Sequence, residues 1–184
     1  MNSKEALQTL LEGNARYQAG ECKMMNLPSA REELSRGQAP IAAIIRCADS
    51  RVAPEIVFDQ PLGNLFVCGV AGNIPTQEIV ESIEYTVQHL GTTLVVVMGH
   101  SNCGAVTAAL QNEFVDGVFA QVALSPIPEL DECIAFNAEH GIATILNRSY
   151  VLEQKVQQGT LRIVAGVQDI ASGEFELVAQ TSTE

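Results

Sequence analysis

The chain contains no tryptophan, and aromatic residues make up only 5% of its 184 positions. With hydrophobic residues at 47%, its core is expected to be mostly aliphatic. Basic residues are scarce too: 10 Lys and Arg face 22 Asp and Glu, for a formal net charge of −12. Nucleic acid and anionic membrane surfaces recruit clustered positive charge, so neither is an expected partner. The acidic residues are spread along the chain and read as a solvated surface, which is no obstacle to a small neutral substrate. No apolar run approaches the ~20 residues that a membrane span needs. Met1-Asn2-Ser3-Lys4-Glu5 leads straight into an amphipathic pattern and not into the apolar core of a secretory signal. A soluble, cytoplasmic protein is expected. Cysteine is present but odd in number, at five, and without a secretory signal a disulfide framework is not expected. Cys68 and Cys133 lie in apolar and helical stretches and read as small buried hydrophobes. Cys22 lies in a polar linker and is given no role.

What is present is an alternation of two periods. Residues 3–18 carry Ala6, Leu7, Leu10, Leu11 and Ala15 at helical spacing, with Ser3 as the expected N-cap and Gly20 as the stop. Pro28 and Ser29 open a short second helix. Apolar runs at Ile41–Arg46, Leu65–Val70, Thr93–Met98 and Leu161–Val167 predict four strands, and Glu174–Ala179 a last edge strand. Helices are predicted between them: a turn after Pro54, a longer helix from Thr76 or Gln77 to Gly91, Gly104–Gln111, and Leu130–Gln158 with an interruption near Gly141. Residues 112–130, broken by Pro126 and Pro128, fit no single element. Strands that alternate with helices predict an α/β fold, a mostly parallel sheet with helices on both faces. A helical arm, residues 1–36, precedes an α/β domain at 37–184, a single domain overall. Such an arm packs on a neighbouring subunit or on its own domain, and the sequence leaves both open.

Two strands end in residues that bind metals. Ile41–Arg46 runs into Cys47-Ala48-Asp49-Ser50-Arg51, and Thr93–Met98 into His100-Ser101-Asn102-Cys103-Gly104. In open α/β sheets ligands bind at the carboxyl ends of strands, where the strand order reverses. Two thiolates and one imidazole form a three-ligand set that suits zinc and leaves a fourth position open, the mark of a catalytic site. A carboxylate two residues beyond a zinc thiolate, Asp49, can itself fill that position. Arg51 can hold it back through a bidentate, charge-assisted pair, freeing Asp49 to orient a water molecule. His89 and His140 stand outside this pattern and read as ordinary surface or core residues.

Together the two stretches resemble the β-class carbonic anhydrases, and the resemblance extends over nearly the whole chain through Ala71-Gly72-Asn73, Ser82-Ile83-Glu84-Tyr85 and the segment from Gly166 to Gly173. It implies one zinc ion per subunit on Cys47, His100 and Cys103, an Asp49–Arg51 dyad, and reversible hydration of carbon dioxide to bicarbonate. In the plant-like branch a Gln, a Phe and a Tyr line the substrate pocket, and their spacing is matched here by Gln38, Phe66 and Tyr85. The backbone N–H of Gly104 is a candidate donor to a product oxygen. The family builds this pocket at a dimer interface, so the resemblance implies a homodimer or a higher homo-oligomer. Three positions depart from relatives: Gly69 replaces an Arg, Gln168 a Tyr before Asp169, and Ile44 a Trp. The Trp, Arg and Tyr form a second bicarbonate site in the regulated branch, so that regulation is expected to be missing. The Gly69 change is expected to loosen the structure locally. Three rival readings remain open: hydrolysis of carbonyl sulfide or carbon disulfide at the same site, a zinc-stabilised assembly subunit without catalysis, and, ranked last, a redox or structural thiol protein whose cysteines pair without metal.

Overall fold

The computed structural model describes residues 1–23, 27–113 and 116–181. Positions 114 and 115 of the Pro-broken region, and the last three positions of the 37–184 segment, lie outside the described residues. Five strands, β1 (Ala42–Cys47), β2 (Leu65–Val70), β3 (Leu94–His100), β4 (Arg162–Gln168) and β5 (Phe175–Gln180), form one sheet in the order β2-β1-β3-β4-β5. All neighbours are parallel except β4 and β5, which are antiparallel. The chain moves from β1 outward to β2 on one side and then crosses to β3 on the other. The strand order therefore reverses beside β1, and Cys47 and His100 end the two strands that flank that reversal.

The sheet forms because the strands are apolar on both sides. Every residue of β3, Leu94-Val95-Val96-Val97-Met98-Gly99-His100, is buried. Such continuous β-branched runs suit a central strand covered on both faces, where each fully buried Val or Ile side chain contributes about 1.5–3 kcal/mol. Alternate residues separate into two cores. Ile44, Val96 and Met98 pack with Ala6, Leu7 and Leu10 of α1 (Ser3–Ala19), with Val57 of α3 (Pro54–Val57) and with Val106 of α5 (Gly104–Leu110). Ala43, Ile45, Val95 and Val97 pack with Ile79, Val80 and Ile83 of α4 (Gln77–His89), Ala138 and Ile145 of α6 (Leu130–Arg148) and Leu152 of α7 (Tyr150–Gln157). The remaining helix, α2, spans Leu27–Leu34.

The cap of the first helix lies one residue earlier than expected. Asn2, not Ser3, caps α1: its side chain accepts from the Glu5 N–H while Glu5 accepts from the Asn2 N–H, a complete capping box. This helix is tied to the rest of the same chain through buried Asn14. Its Nδ2 donates to the Val57 and Gly173 carbonyls at 3.1 and 2.8 Å, and its Oδ1 accepts from the Phe175 N–H at 2.9 Å.

The interruption expected near Gly141 lies instead at Ser149. Helix α6 runs unbroken through Gly141 to Arg148, and Ser149 caps the next helix by accepting from the Leu152 N–H at 3.0 Å. Gly141 is there for packing, because a Cβ at this position would stand 2.8 Å from Cγ1 of Val97. Gly141→Ala is therefore expected to destabilise the fold by about 1–3 kcal/mol through overpacking, despite the better helix propensity of Ala. Urea unfolding of the two proteins measures it, and a stabilised variant would contradict the packing role.

Candidate metal centre

The end of β1 and the end of β3 converge as the strand order requires. One ligand atom each from Cys47, His100 and Cys103 lies within 4.8 Å of the other two, and all three residues are buried. The two sulfurs are 4.0 Å apart. The Nδ1 atom of His100 faces the Ser101 carbonyl oxygen at 2.9 Å. A carbonyl only accepts, so Nδ1 carries the proton and Nε2 presents its lone pair. That Nε2 is fully buried and has no hydrogen-bond partner. A buried acceptor left unmade costs about 1–3 kcal/mol. A divalent cation held among these three atoms removes that cost.

The sulfur chemistry fits the same occupant. The Cys47 thiol is held well below its ordinary range, first because Cys103 donates to it and also through the Gly72 N–H, which stands 3.2 Å from Sγ, against the opposing effect of burial. Cys103 is pushed up by the same contact with Cys47 and by burial. Two sulfurs this close repel one another as thiolates, and a soft or borderline cation between them stabilises both. With two sulfurs and one imidazole the set suits zinc.

Asp49 and Arg51 form the expected pair. Arg51 Nε donates to Oδ1 at 2.9 Å and Nη2 to Oδ2 at 2.7 Å, while the Arg51 backbone N–H adds a third bond to Oδ1 at 2.9 Å. Arg51 Nη2 also reaches the Asn102 carbonyl at 3.3 Å, which links the dyad to the loop that carries Cys103. The guanidinium holds the Asp49 carboxyl far below the usual carboxylate range, against the opposing effect of desolvation. Oδ2 of Asp49 stops 3.9 Å from His100 Nε2, too far for a hydrogen bond but beside the ligand cluster.

A cleft of about 470 Å³ opens at this point, lined by Cys47, Asp49 and Gly104 with Ala71, Ala108 and Phe119 as apolar neighbours. Phe119 opens the one-turn 3-10 helix Phe119–Gln121, in the region whose sequence fits no regular element. No periodicity marks it, and only the folded chain brings it beside Cys47. Gly72 was visible within Ala71-Gly72-Asn73 but not its task. Its φ of 80° suits glycine, and a Cβ would lie 3.3 Å from Ala105 Cβ and 3.4 Å from Val122 Cγ2, so the turn approaches closely enough to offer its N–H to Cys47.

Within one chain, Gln38, Phe66 and Tyr85 stand apart from this cleft. Phe66 pairs with Ala43, four residues before Cys47 and so roughly 13 Å back along the strand. Its ring lies 6.4 Å from that of Tyr85, which is half exposed on α4 beside the outer strand β2. Gln38 is exposed in the segment leading into β1.

The structure places the three positions that the resemblance marks as departures. Gly69 pairs with Arg46, and a Cβ there would meet the Arg46 carbonyl at 2.9 Å and its Cγ at 3.3 Å. The space is occupied by Arg46, whose Nη1 donates to the Cys47 carbonyl at 2.6 Å. Gln168 is buried opposite His100, and its backbone carbonyl accepts the Ser101 N–H at 2.8 Å, a contact that depends on no side chain. Ile44 is core. Of the other cysteines Cys133 is fully buried and Cys68 half-buried, with burial raising the Cys68 thiol.

Among the described residues no helix is long and apolar enough to cross a membrane. Residues 42–175 match the family model described as carbonic anhydrase. The chain is 36% identical to carbonic anhydrase 2 of Mycobacterium tuberculosis over a 192-residue alignment covering 96% of this chain and 93% of that protein. It is 32% identical to the carbonic anhydrase of Pseudomonas aeruginosa, covering 79% and 76%. In three dimensions it superposes on the Coccomyxa β-carbonic anhydrase, solved in complex with acetazolamide, with a TM-score of 0.71 at 26% identity, covering 96% and 88% of the two chains. The fold is also that of the tetrameric β-carbonic anhydrases of Sordaria macrospora, with a TM-score of 0.73 at 24% identity, covering 97% and 100%. The chain therefore belongs to the β-class carbonic anhydrases, a family whose general reaction is the hydration of carbon dioxide.

Proposed function

We propose that the chain is a zinc-dependent carbonic anhydrase that converts carbon dioxide and water to bicarbonate and a proton, and the reverse. The observation that carries this reading is the buried, unpartnered Nε2 of His100, which shares its space with two thiol sulfurs while Arg51 holds Asp49 beside them. Cys47, His100 and Cys103 hold the metal. Bound there, zinc supplies Lewis acidity that makes water a nucleophile near neutral pH.

The remaining work falls to the chain. Asp49 is anionic and cannot swing away from two parallel Arg51 bonds, so its carboxylate accepts a hydrogen bond from the reacting water and fixes its orientation. Ala71, Ala108 and Phe119 give the cleft an apolar wall, which favours a linear apolar molecule over water. Gly104 begins α5, and its backbone N–H is assigned to an oxygen of the product. Hydration adds water to carbon dioxide, and the released proton passes to buffer at the mouth of the cleft.

Gln38, Phe66 and Tyr85 are assigned to the neighbouring subunit's cleft in a homodimer or a higher cytoplasmic assembly. Their separation from the cleft of their own chain supports this, as does the half-exposed Tyr85 ring beside the sheet edge formed by β2. Stopped-flow hydration assays on protein of measured zinc content test the reading. Turnover proportional to bound zinc is expected, and faster with carbon dioxide than with carbonyl sulfide. A fully zinc-loaded protein without hydration activity would overturn it.

A further inference from the structure

One buried side chain outside the ligand set bonds to the two segments that carry Ala71 and Phe119 to the cleft. Asn137 sits in the middle of α6 and is 4% exposed. Its Nδ2 donates to the Gly72 carbonyl at 2.8 Å, and its Oδ1 accepts from the Ala123 N–H at 3.0 Å. A carbonyl oxygen only accepts and a backbone N–H only donates, so the two partners fix which end of the amide is which. Gly72 is the residue whose own N–H reaches Cys47 Sγ at 3.2 Å. Ala123 follows the segment that begins at Phe119 and includes Val122, whose Cγ2 would stand 3.4 Å from a Cβ at Gly72. Arg148, further along the same helix, clasps the same two segments, donating to the Pro75 carbonyl at 2.5 Å and to Gln121 Oε1 at 2.9 Å.

We infer that Asn137 is a positioning residue for the metal centre, acting through Gly72 on the Cys47 sulfur and through Ala123 on the Phe119 wall. This rests on the metal-site reading above. The amide is the right chemistry because one end must donate and the other accept. Leucine of similar size does neither, and an ionised aspartate only accepts. An N–H aimed at a thiolate withdraws charge from the sulfur, so the partner that aims it tunes the metal from outside its ligand shell. Asn137 itself belongs neither to the ligand cluster nor to the lining of the cleft.

The test uses Asn137→Asp and Asn137→Leu in cobalt-substituted and zinc-loaded protein. Asn137→Asp keeps an acceptor for the Ala123 N–H and loses the donor to Gly72. It is expected to move the sulfur-to-cobalt charge-transfer band to lower energy, since the sulfur regains charge, and to weaken zinc about ten- to a hundredfold in chelator competition. Asn137→Leu is expected to add a raised KM by releasing the Phe119 wall. A purely structural role would lower the melting temperature and leave the cobalt band and zinc affinity in place, and that result overturns the inference. Should neither variant fold, wild-type protein loaded with an NMR-active cadmium isotope decides. The Gly72 amide proton is expected to couple to the metal through Cys47 Sγ, and absence of that coupling rejects the relay. Wild-type protein that takes up neither zinc nor cobalt refutes the metal site itself. Normal loading with an unchanged band in the Asp variant refutes only the role of Asn137.

Discussion

Cys103→Ser is expected to leave the chain folded and empty of zinc. The substitution removes one of two sulfurs that lie 4.0 Å apart and leaves Cys47 and His100 in place. A hydroxyl keeps its proton at neutral pH where a thiol beside a cation loses it, so the third anionic donor disappears. Zinc affinity is expected to fall by more than about a hundredfold, beyond the loss usual for a residue that only supports a ligand. Hydration is expected to fall by more than about a thousandfold, about 4 kcal/mol of transition-state stabilisation. Metal analysis after dialysis and stopped-flow turnover on the same sample measure both. His100→Ala is expected to behave alike, because it deletes a buried, unpartnered nitrogen that lies in the same cluster as the two sulfurs. A Cys103→Ser protein that retains stoichiometric zinc and full turnover would show that the metal sits elsewhere.

Arg51→Ala predicts the opposite separation, with metal kept and activity lost. Without the guanidinium, Asp49 loses two of its three N–H donors, and Oδ2 already stands 3.9 Å from His100 Nε2. The freed carboxylate is expected to swing onto the zinc and fill the position the reacting water needs. Turnover should then drop by about a hundred- to a thousandfold while zinc binds as tightly as before or tighter. Arg51→Lys is expected to restore only part of it, since an ammonium cannot make two parallel bonds to one carboxylate. Asp49→Ala should lose turnover to a similar extent for a different reason, as no anion remains to orient the water. Full activity in both alanine variants would remove the dyad from the mechanism.

How much of this could be read in advance depended on how local each signal was. β2 runs from Leu65 to Val70, as its apolar run indicates. The other strands shift by one or two residues: β3 continues through Gly99 to His100, where a glycine and a histidine give no strand signal. Gly141 misled in the other direction. As a helix breaker it suggests an interruption, but the deciding contact is with Val97, more than forty positions away, and only packing reveals it. Ser149 is an ordinary N-cap residue whose effect emerged once the two helices were seen to turn there. At Gly69 the space beside the backbone is taken by Arg46, a neighbour across the strand pair and not along the chain.

The sequence by itself determined the alternation of strands and helices, the two strand ends that carry Cys47, His100 and Cys103, and the Asp49–Arg51 pair two residues apart. Those signals are periodic or short-range, so they survive in one dimension. Only the tertiary structure decided that the crossing from β2 to β3 passes beside β1 and brings the ligands within 4.8 Å of one another. It alone placed Phe119 in the cleft, set Phe66 and Tyr85 away from it, and joined Asn137 to Gly72. Such contacts join residues tens of positions apart, and a linear pattern carries no record of which distant backbone a buried amide will meet.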